Sequence, residues 1–136
     1  KKKPILGICL GMQIMADYSE ENGYHKGLGW IEGGFVKLEP KNDLRVPHVG
    51  WNNMKIIKKE PLFSRIDEKA NFYFDHSYHF KGKKENVSAF CDYGFDVVAT
   101  FQKENIFGLQ FHPEKSQNNG LKLFRSFFDY LNVKHA

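Results

Sequence analysis

The 136-residue sequence predicts an α/β fold with a strand-rich centre and a helix near each end. Three observations lead to this prediction. A short apolar run near the start leads into a glycine-flanked turn. Several short β-like segments follow, separated by Gly, Pro, Asn and Asp. The last segment of the chain carries apolar residues at helical spacing. A chain of this length is sufficient for one domain with its own core.

The first predicted element is a buried strand over Ile5–Ile8, and residues 12 to about 20 are predicted as a helix that ends at Asn22-Gly23. The β-like segments that follow are residues 34–38, 46–52, 54–57, 71–80, 87–91, 97–102 and 106–112. The last two flank Lys103-Glu104-Asn105 and are predicted to form a hairpin.

The C-terminal segment, residues 121–131, is the clearest helix in the sequence. Its apolar residues follow the i, i+3, i+4 spacing of one buried face. They are Leu121, Phe124, Phe127, Phe128 and Leu131. We therefore expect these side chains to belong to the core rather than to a binding site.

Composition and charge exclude several classes of protein. Hydrophobic residues make up 41% of the chain and charged residues 26%, which indicates a globular protein. The formal net charge of +4 comes with lysine clusters at residues 1–3, 55–59 and 81–84, which we interpret as solvated surface because no nucleic-acid-binding motif accompanies them. No apolar run is long enough to cross a membrane, and we see no signal peptide. Two cysteines are too few for a disulfide framework, so we expect a reducing, cytoplasmic setting.

The stretch Gly7-Ile8-Cys9-Leu10-Gly11 has the pattern of a nucleophile elbow with Cys in place of Ser. A sharp turn between strand and helix favours glycine on both sides of the nucleophile and places the sulfur at a helix N-terminus, where thiolate is favoured. The alternative is a structural cysteine in a tight turn, and this motif alone does not decide between them. The second cysteine, Cys91, has no such turn and is predicted to lie in the core.

A base for this cysteine is predicted in the stretch Gly108-Leu109-Gln110-Phe111-His112-Pro113-Glu114. Alternation along a strand places Gln110 and His112 on one face, with His112 at the strand's carboxyl end, where sites of open sheets lie. Pro113 keeps His112 extended and ends the strand, so that Glu114 can fold back beside the imidazole. A carboxylate there would fix the tautomer of His112 and stabilise its protonated form.

Taken together, the cysteine elbow and the histidine segment give a sequence that resembles the class I glutamine amidotransferases, also called triad glutaminases. Two shorter motifs between them extend the resemblance over most of the chain. The four motifs are Gly7-Ile8-Cys9-Leu10-Gly11-Met12-Gln13, Pro47-His48-Val49-Gly50-Trp51-Asn52, His76-Ser77-Tyr78 and Gly108-Leu109-Gln110-Phe111-His112-Pro113-Glu114-Lys115-Ser116.

The resemblance implies a flavodoxin-like, three-layer fold of which residues 1–136 would be a partial domain, the C-terminal portion without its N-terminal βα units. It also implies a glutaminase that uses Cys9 as nucleophile, His112 as acid and base, and Glu114 as the residue that orients His112. The backbone N–H of Leu10 would donate to the oxyanion, and a second donor would lie in the missing part. The residues implied to hold L-glutamine are Gln13, His76, Ser77 and Tyr78.

The second motif resembles the glutaminase subunits of imidazole glycerol phosphate synthases, which serve histidine biosynthesis. This implies a heterodimer with a (β/α)₈-barrel cyclase subunit that receives the ammonia, and no cofactor. The residues implied to form the interface are Pro47, His48, Gly50, Trp51 and Asn52. From the residues alone, Trp51 fits a core strand equally well. His76 and His79 would face opposite sides of a strand, so we expect no metal site.

Three other functions are open on the sequence. Trp30 and Asp75 depart from the residues expected in the biosynthetic subunit, and a paralogous glutaminase could supply ammonia to a sugar amidotransferase for surface polysaccharides. A non-catalytic module with the same fold is a second alternative, against which stand the intact Cys9, His112 and Glu114. A Cys-His hydrolase of another amide is a third, and the proposed docking motif argues against it.

Overall fold

A computed structural model describes residues 3–135, so Lys1 and Lys2 of the first lysine cluster lie outside the described residues. The strands are β1 (Ile5–Ile8), β2 (Ala16–Ser19), β3 (His25–Lys26), β4 (Ile31–Lys37), β5 (His48–Asn53), β6 (Lys55–Ile56), β7 (Asn71–His76), β8 (Tyr78–Gly82), β9 (Val87–Asp92), β10 (Asp96–Lys103) and β11 (Ile106–Leu109). The α-helices are α1 (Leu10–Ile14) and α2 (Gln117–His135), and one-turn 3₁₀ helices span Lys84–Asn86 and Pro113–Lys115.

The main sheet has five strands in the order β1-β11-β10-β9-β6. β1 and β11 run parallel, with Ile8 paired to Leu109 at their carboxyl ends. β10 and β11 form the predicted hairpin, closed by the pair Lys103 and Ile106. The positive φ of 54° at Glu104 belongs to this tight turn.

Two hydrophobic clusters lie on opposite faces of the main sheet. One contains Phe107 and Leu109 of β11 together with Leu123 and Phe127 of α2. The other contains residues of α1, of β10 and of a four-stranded sheet with the order β3-β2-β4-β8. The main sheet therefore lies between a helix layer and a mixed layer, which confirms the predicted α/β class.

The predicted helix over residues 12–20 is wrong beyond Ile14. α1 ends there, and Ala16–Ser19 forms β2, which pairs with β4. The carbonyl groups of Ile14, Met15 and Ala16 accept hydrogen bonds from the backbone N–H groups of residues 28–31 instead of from the next helical turn. Long-range pairing therefore outcompetes the local helical propensity of this segment.

Two other predicted boundaries change in ways that matter for the site. Residues 71–80 form two strands in different sheets, because the chain bends at Ser77 between β7 and β8. β11 ends at Leu109 instead of His112, and the backbone N–H of His112 donates to the carbonyl oxygen of Tyr73 at 2.8 Å. The other predicted strands are present with ends that differ by a few residues.

The C-terminal helix is longer than predicted, and its buried face coincides only in part with the predicted one: Phe127 lies in the core and Leu131 packs against it. Leu123 and Phe127 are buried, whereas Leu121 and Phe128 are 53% and 55% exposed, so the prediction that these two are core residues is wrong. Gly120 fixes the rotation of the helix, because a Cβ there would lie 1.8 Å from the carbonyl oxygen of Pro113. The face that contains Gly120 also contains positions 123 and 127.

The orientation of α2 can be tested with two leucines of the same helix. Leu123→Ala in the 136-residue chain should lower the free energy of unfolding by about 2–5 kcal/mol, because it leaves a cavity in the core. Leu121→Ala should change it by less than about 0.5 kcal/mol. Urea denaturation measures both, and a larger loss for Leu121→Ala would contradict the observed orientation.

Candidate active site

The elbow forms where β1 ends at Ile8 and α1 begins at Leu10, with Cys9 between them. The N–H of Cys9 continues the parallel ladder by donating to the carbonyl oxygen of Leu109 at 2.7 Å, and its own carbonyl accepts the first helical hydrogen bond from Gln13 at 3.0 Å. Between these two bonds Cys9 has φ 55° and ψ −105°. A side-chain-bearing residue is rare at such a positive φ, and surrounding structure must hold it there.

The two glycines of the elbow are not equivalent. A Cβ at Gly7 would lie 2.7 Å from the backbone carbonyl carbon of Gly11, so Gly7 permits the close approach of β1 and α1. A Cβ at Gly11 would meet nothing within 4 Å. The sequence-based expectation that the turn needs both glycines is therefore supported sterically for Gly7 alone.

The thiol of Cys9 is half-buried, and this burial raises its pKa above the ordinary value. The backbone N–H of Leu10 lowers the pKa in part by hydrogen bonding to the sulfur, and the carboxylates of Asp75, Glu21 and Glu114 raise it further. The resting sulfur is therefore a protonated thiol at neutral pH. This differs from the expectation that the helix end favours thiolate, and it means that attack by Cys9 needs a base.

The base predicted for this cysteine is His112, whose Nδ1 lies 2.7 Å from Oε2 of Glu114. Because a carboxylate only accepts hydrogen bonds, Nδ1 is the donor in this contact, and the neutral form of the ring then carries its lone pair on Nε2. His112 is extended, with φ −102° and ψ 97°, as expected before Pro113. The single 3₁₀ turn Pro113–Lys115 brings Glu114 back beside the imidazole.

Parallel pairing brings the cysteine and the histidine to one edge of the main sheet. Cys9 directly follows β1, and His112 comes three residues after the end of the adjacent strand β11. Gln110, the first residue after β11, is fully buried, and its Nε2 is 3.9 Å from the sulfur of Cys9. Alternation had placed Gln110 on the face of His112, but the sequence did not reveal this contact.

A cavity of about 400 Å³ opens beside the elbow. Leu10 and Gln13 of α1 line it together with Ser19 and Glu21. Glu21 is the residue that sequence reasoning missed, because the segment was predicted as helix. Because α1 ends at Ile14, residues 16–19 form β2, and Glu21, two residues after this strand, lines the cavity and acts electrostatically on Cys9.

The other predicted substrate residues lie elsewhere. Ser77, Tyr78 and His76 are not among the residues that line this cavity. Ser77, at the bend after β7, is half-buried and comes two residues after Asp75, whose carboxylate raises the pKa of Cys9. His76 is 5% exposed, and both its ring nitrogens bond to protein atoms. His76 therefore has no free ring nitrogen for glutamine, contrary to the expectation that its side chain holds the substrate.

The residues expected at the partner interface, in the stretch from Pro47 to Asn52, differ in how far they are exposed. His48 is 4% exposed and does not present its side chain to a partner, whereas Asn52 is half-buried and uses one amide N–H to donate to the carbonyl oxygen of Asp92. Pro47 is exposed and Gly50 half-buried. Trp51 is 48% exposed, with its ring 5.9 Å from that of Tyr73, and it is not a core residue.

The family profile described as "Glutamine amidotransferase class-I" matches residues 1–130. The chain belongs to the class I glutamine amidotransferase family. Its relatives include a protein of Campylobacter jejuni (strain RM1221) named imidazole glycerol phosphate synthase subunit HisH 1, which is 54% identical over 127 residues and covers 93% of this chain. A Vibrio vulnificus (strain YJ016) protein named imidazole glycerol phosphate synthase subunit HisH 2 is 48% identical over 134 residues and covers 98% of it.

This amidotransferase chain spans 63% of the length of each of these two relatives. Its fold is similar to that of a glutamine amidotransferase from Thermotoga maritima, with a TM-score of 0.58 at 19% identity over 96% of this chain and 49% of that one. No helix within residues 3–135 is long and apolar enough to cross a membrane. Within the same residues no three His, Cys, Asp or Glu side chains are grouped to hold a metal ion.

The elbow glycines provide a matched pair of substitutions. Gly7→Ala should destabilise the protein, because the new Cβ meets the backbone of Gly11 and α1 must shift. Gly11→Ala should leave the free energy of unfolding unchanged or slightly higher, since Ala favours helix over Gly. Denaturant unfolding measures both. Equal destabilisation by the two substitutions would contradict the asymmetry of the elbow.

Acid should destabilise the protein through His48 and His76, since burial lowers the pKa of both to about 4 from 6.5. As the pH falls from 6.5 to about 4, the unfolded state takes up protons on these residues before the folded state does. The free energy of unfolding should therefore fall across this window and level off for these groups below it.

The matched control is a variant in which both residues are replaced, His48→Phe with His76→Asn. Its free energy of unfolding should depend less steeply on pH between 6.5 and 4 than that of the wild type. His25→Gln, at an exposed histidine, controls for the loss of an imidazole as such. If the free energy of unfolding fell as steeply with pH in the double variant as in the wild type, His48 and His76 would not be the cause of the acid destabilisation.

Proposed function

We propose that the protein is a glutaminase that hydrolyses L-glutamine to glutamate and ammonia through Cys9, His112 and Glu114. The hydrogen bond of 2.7 Å between His112 and Glu114, beside the elbow that carries Cys9, supports this proposal most directly. It leaves Nε2 of His112 as the free base at the same sheet edge as a thiol that needs one. Membership of the amidotransferase family supports the same reaction.

In the first half-reaction, Nε2 of His112 removes the proton from Cys9 as the sulfur attacks the side-chain amide carbon of glutamine. The carbonyl oxygen becomes an oxyanion, to which the N–H of Leu10 can donate. The Glu114 carboxylate stabilises the imidazolium that forms. His112 then gives its Nε2 proton to the leaving nitrogen, so that ammonia departs and a thioester remains on Cys9.

In the second half-reaction, His112 removes a proton from water as the water oxygen attacks the thioester carbon. The carbon–sulfur bond breaks, the sulfur of Cys9 regains a proton from His112, and glutamate is released. Glu114 keeps Nδ1 protonated throughout, so one imidazole nitrogen serves both halves. The groups return to their starting protonation states, and one water is consumed for each ammonia formed.

The cavity beside the elbow is lined by polar side chains suited to bind the end of glutamine that carries the ammonium group. Free glutamine carries an ammonium group, and the carboxylate of Glu21 offers it a charged partner. The amide of Gln13 lies in the same cavity, with its Oε1 3.5 Å from the hydroxyl of Ser19. We also assign Ser77 and Tyr78 to the substrate, because this bend follows Asp75, whose carboxylate acts electrostatically on Cys9.

We propose a cyclase subunit as the protein that receives the ammonia. The proposal rests on the names of the relatives and on the exposed face of β5 and β7. Relatives at 54% and 48% identity are named as subunits of imidazole glycerol phosphate synthase, which favours the histidine pathway and a (β/α)₈-barrel cyclase partner. Trp51 faces outward beside Tyr73, whose ring lies 5.9 Å from the Nζ of Lys115. This exposed aromatic surface adjoins His112 through the Tyr73 carbonyl and is suited to docking.

The nucleophile assignment can be tested with the two cysteines of the chain. In the full-length protein with its cyclase partner, Cys9→Ala should abolish glutamine-dependent glutamate release, and His112→Ala should lower kcat by at least about a hundredfold. Cys91→Ala is the matched control, because Cys91 is buried in the core and should be dispensable for turnover. Unchanged turnover in Cys9→Ala would contradict the proposed function.

A further inference from the structure

The structure contains a buried histidine pair that the proposed mechanism does not use. His48 of β5 and His76 of β7 are opposite each other in the strand register, and both are almost fully buried. Nδ1 of His48 lies 3.1 Å from Nε2 of His76. Nδ1 of His76 lies 2.9 Å from the carbonyl oxygen of Tyr78. The pair therefore joins β5 to the first residue of β8.

The direction of each hydrogen bond follows from the groups involved. A carbonyl oxygen only accepts, so Nδ1 of His76 carries the proton that it donates to Tyr78. A neutral imidazole has one N–H, so Nε2 of His76 accepts and Nδ1 of His48 donates. Burial lowers the pKa of both rings to about 4, which keeps both neutral at physiological pH. Each tautomer is thus determined by its neighbour.

Packing holds the donor ring of His48 in place. It stacks on Tyr93 with ring centroids 4.1 Å apart and on Phe74 with centroids 4.8 Å apart. The hydroxyl of Tyr93 in turn donates to the carbonyl oxygen of Arg45. The His48 ring therefore has little freedom to rotate away from His76, and its N–H is already oriented for donation.

The bond from His76 to Tyr78 spans the bend at Ser77, where the chain leaves the two-stranded sheet and enters the four-stranded one. Across this bend Tyr78 pairs with Lys37, and the carbonyl oxygen of Ser77 accepts a hydrogen bond of 2.8 Å from Leu38. The side chain of His76 closes the inner side of the bend. Its loss would leave the Tyr78 carbonyl without this partner and loosen the position of Ser77.

We propose that His76 is a positioning residue that holds the Ser77–Tyr78 bend in place for glutamine, and that His48 couples this bend to β5. The proposal rests on the proposed function, in which Ser77 and Tyr78 contact the substrate. On β5 the neighbouring residue Val49 is exposed and faces away from His48, as does Trp51. A partner that binds the outer face of β5 therefore contacts a strand whose His48 is hydrogen-bonded to His76. His76 in turn is hydrogen-bonded to Tyr78 in the proposed substrate segment.

Two substitutions separate the hydrogen bond from the stacking. His48→Phe keeps an aromatic ring between Phe74 and Tyr93 but removes the N–H donor. His48→Asn loses the stacking but places an amide N–H where Nδ1 was, so the bond to His76 is retained. At the other residue, His76→Asn keeps a donor for the Tyr78 carbonyl and loses the acceptor for His48.

The test uses the full-length protein with its cyclase partner and measures glutamate release against glutamine concentration. His48→Phe should raise KM for glutamine about fivefold, the factor that one ordinary hydrogen bond supplies, with kcat within about twofold of the wild type. His48→Asn should restore KM toward the wild-type value. A KM in His48→Phe equal to that of the wild type would overturn the coupling of the bend to β5 through His48.

A long-range proton–nitrogen NMR spectrum of the histidine side chains tests the bonds themselves, independently of turnover. It should show His48 and His76 as neutral rings protonated at Nδ1, with the His76 signals shifted in His48→Phe. Protonation of His76 at Nε2 would overturn the proposal. Absence of turnover in the wild-type complex would overturn the proposed function, whereas wild-type turnover with an unaltered KM in His48→Phe overturns only the coupling through His48.

Discussion

The parallel pairing of β1 with β11 is the interaction on which the site depends. It aligns Ile8 with Leu109, so that the residues after both strands emerge at the same edge of the main sheet. The ladder continues through the N–H of Cys9, and the chain then has to turn sharply into α1. The unusual backbone of Cys9 is a consequence of this arrangement, because strand pairing holds one side of the residue and the first helical bond holds the other.

The electrostatics of the site follow from the same arrangement. The elbow half-buries Cys9, and this burial, together with the carboxylates of Asp75, Glu21 and Glu114, raises the pKa of the thiol, so the proposed attack needs a base. The imidazole of His112 donates to Glu114, and its backbone N–H donates to the Tyr73 carbonyl. β7 therefore serves the site twice: Tyr73 anchors the segment of His112, and His76 holds the bend that carries the proposed substrate residues.

Sequence reasoning predicted the parts of the site that depend on local chemistry. The elbow and the His112-Pro113-Glu114 turn are short-range patterns: Cys9 adopts the sharp turn between strand and helix, and Glu114 folds back to the imidazole of His112, both as predicted. Sequence reasoning failed where hydrogen bonds between segments far apart in the sequence decide the structure. The early end of α1, and with it the place of Glu21, depends on hydrogen bonds to residues 28–31. The inward position of His48 depends on pairing with β7, and the rotation of α2 depends on one contact of Gly120.

The central claim is that Cys9, held in the elbow and deprotonated by His112, is the residue that attacks glutamine. The most direct measurement is the intact mass and peptide map of the full-length protein after incubation with an electrophilic glutamine analogue. The account predicts a single covalent adduct on Cys9, formed much more slowly in His112→Ala and prevented by excess glutamine. An adduct confined to Cys91, or formed on Cys9 at the same rate without His112, would contradict it.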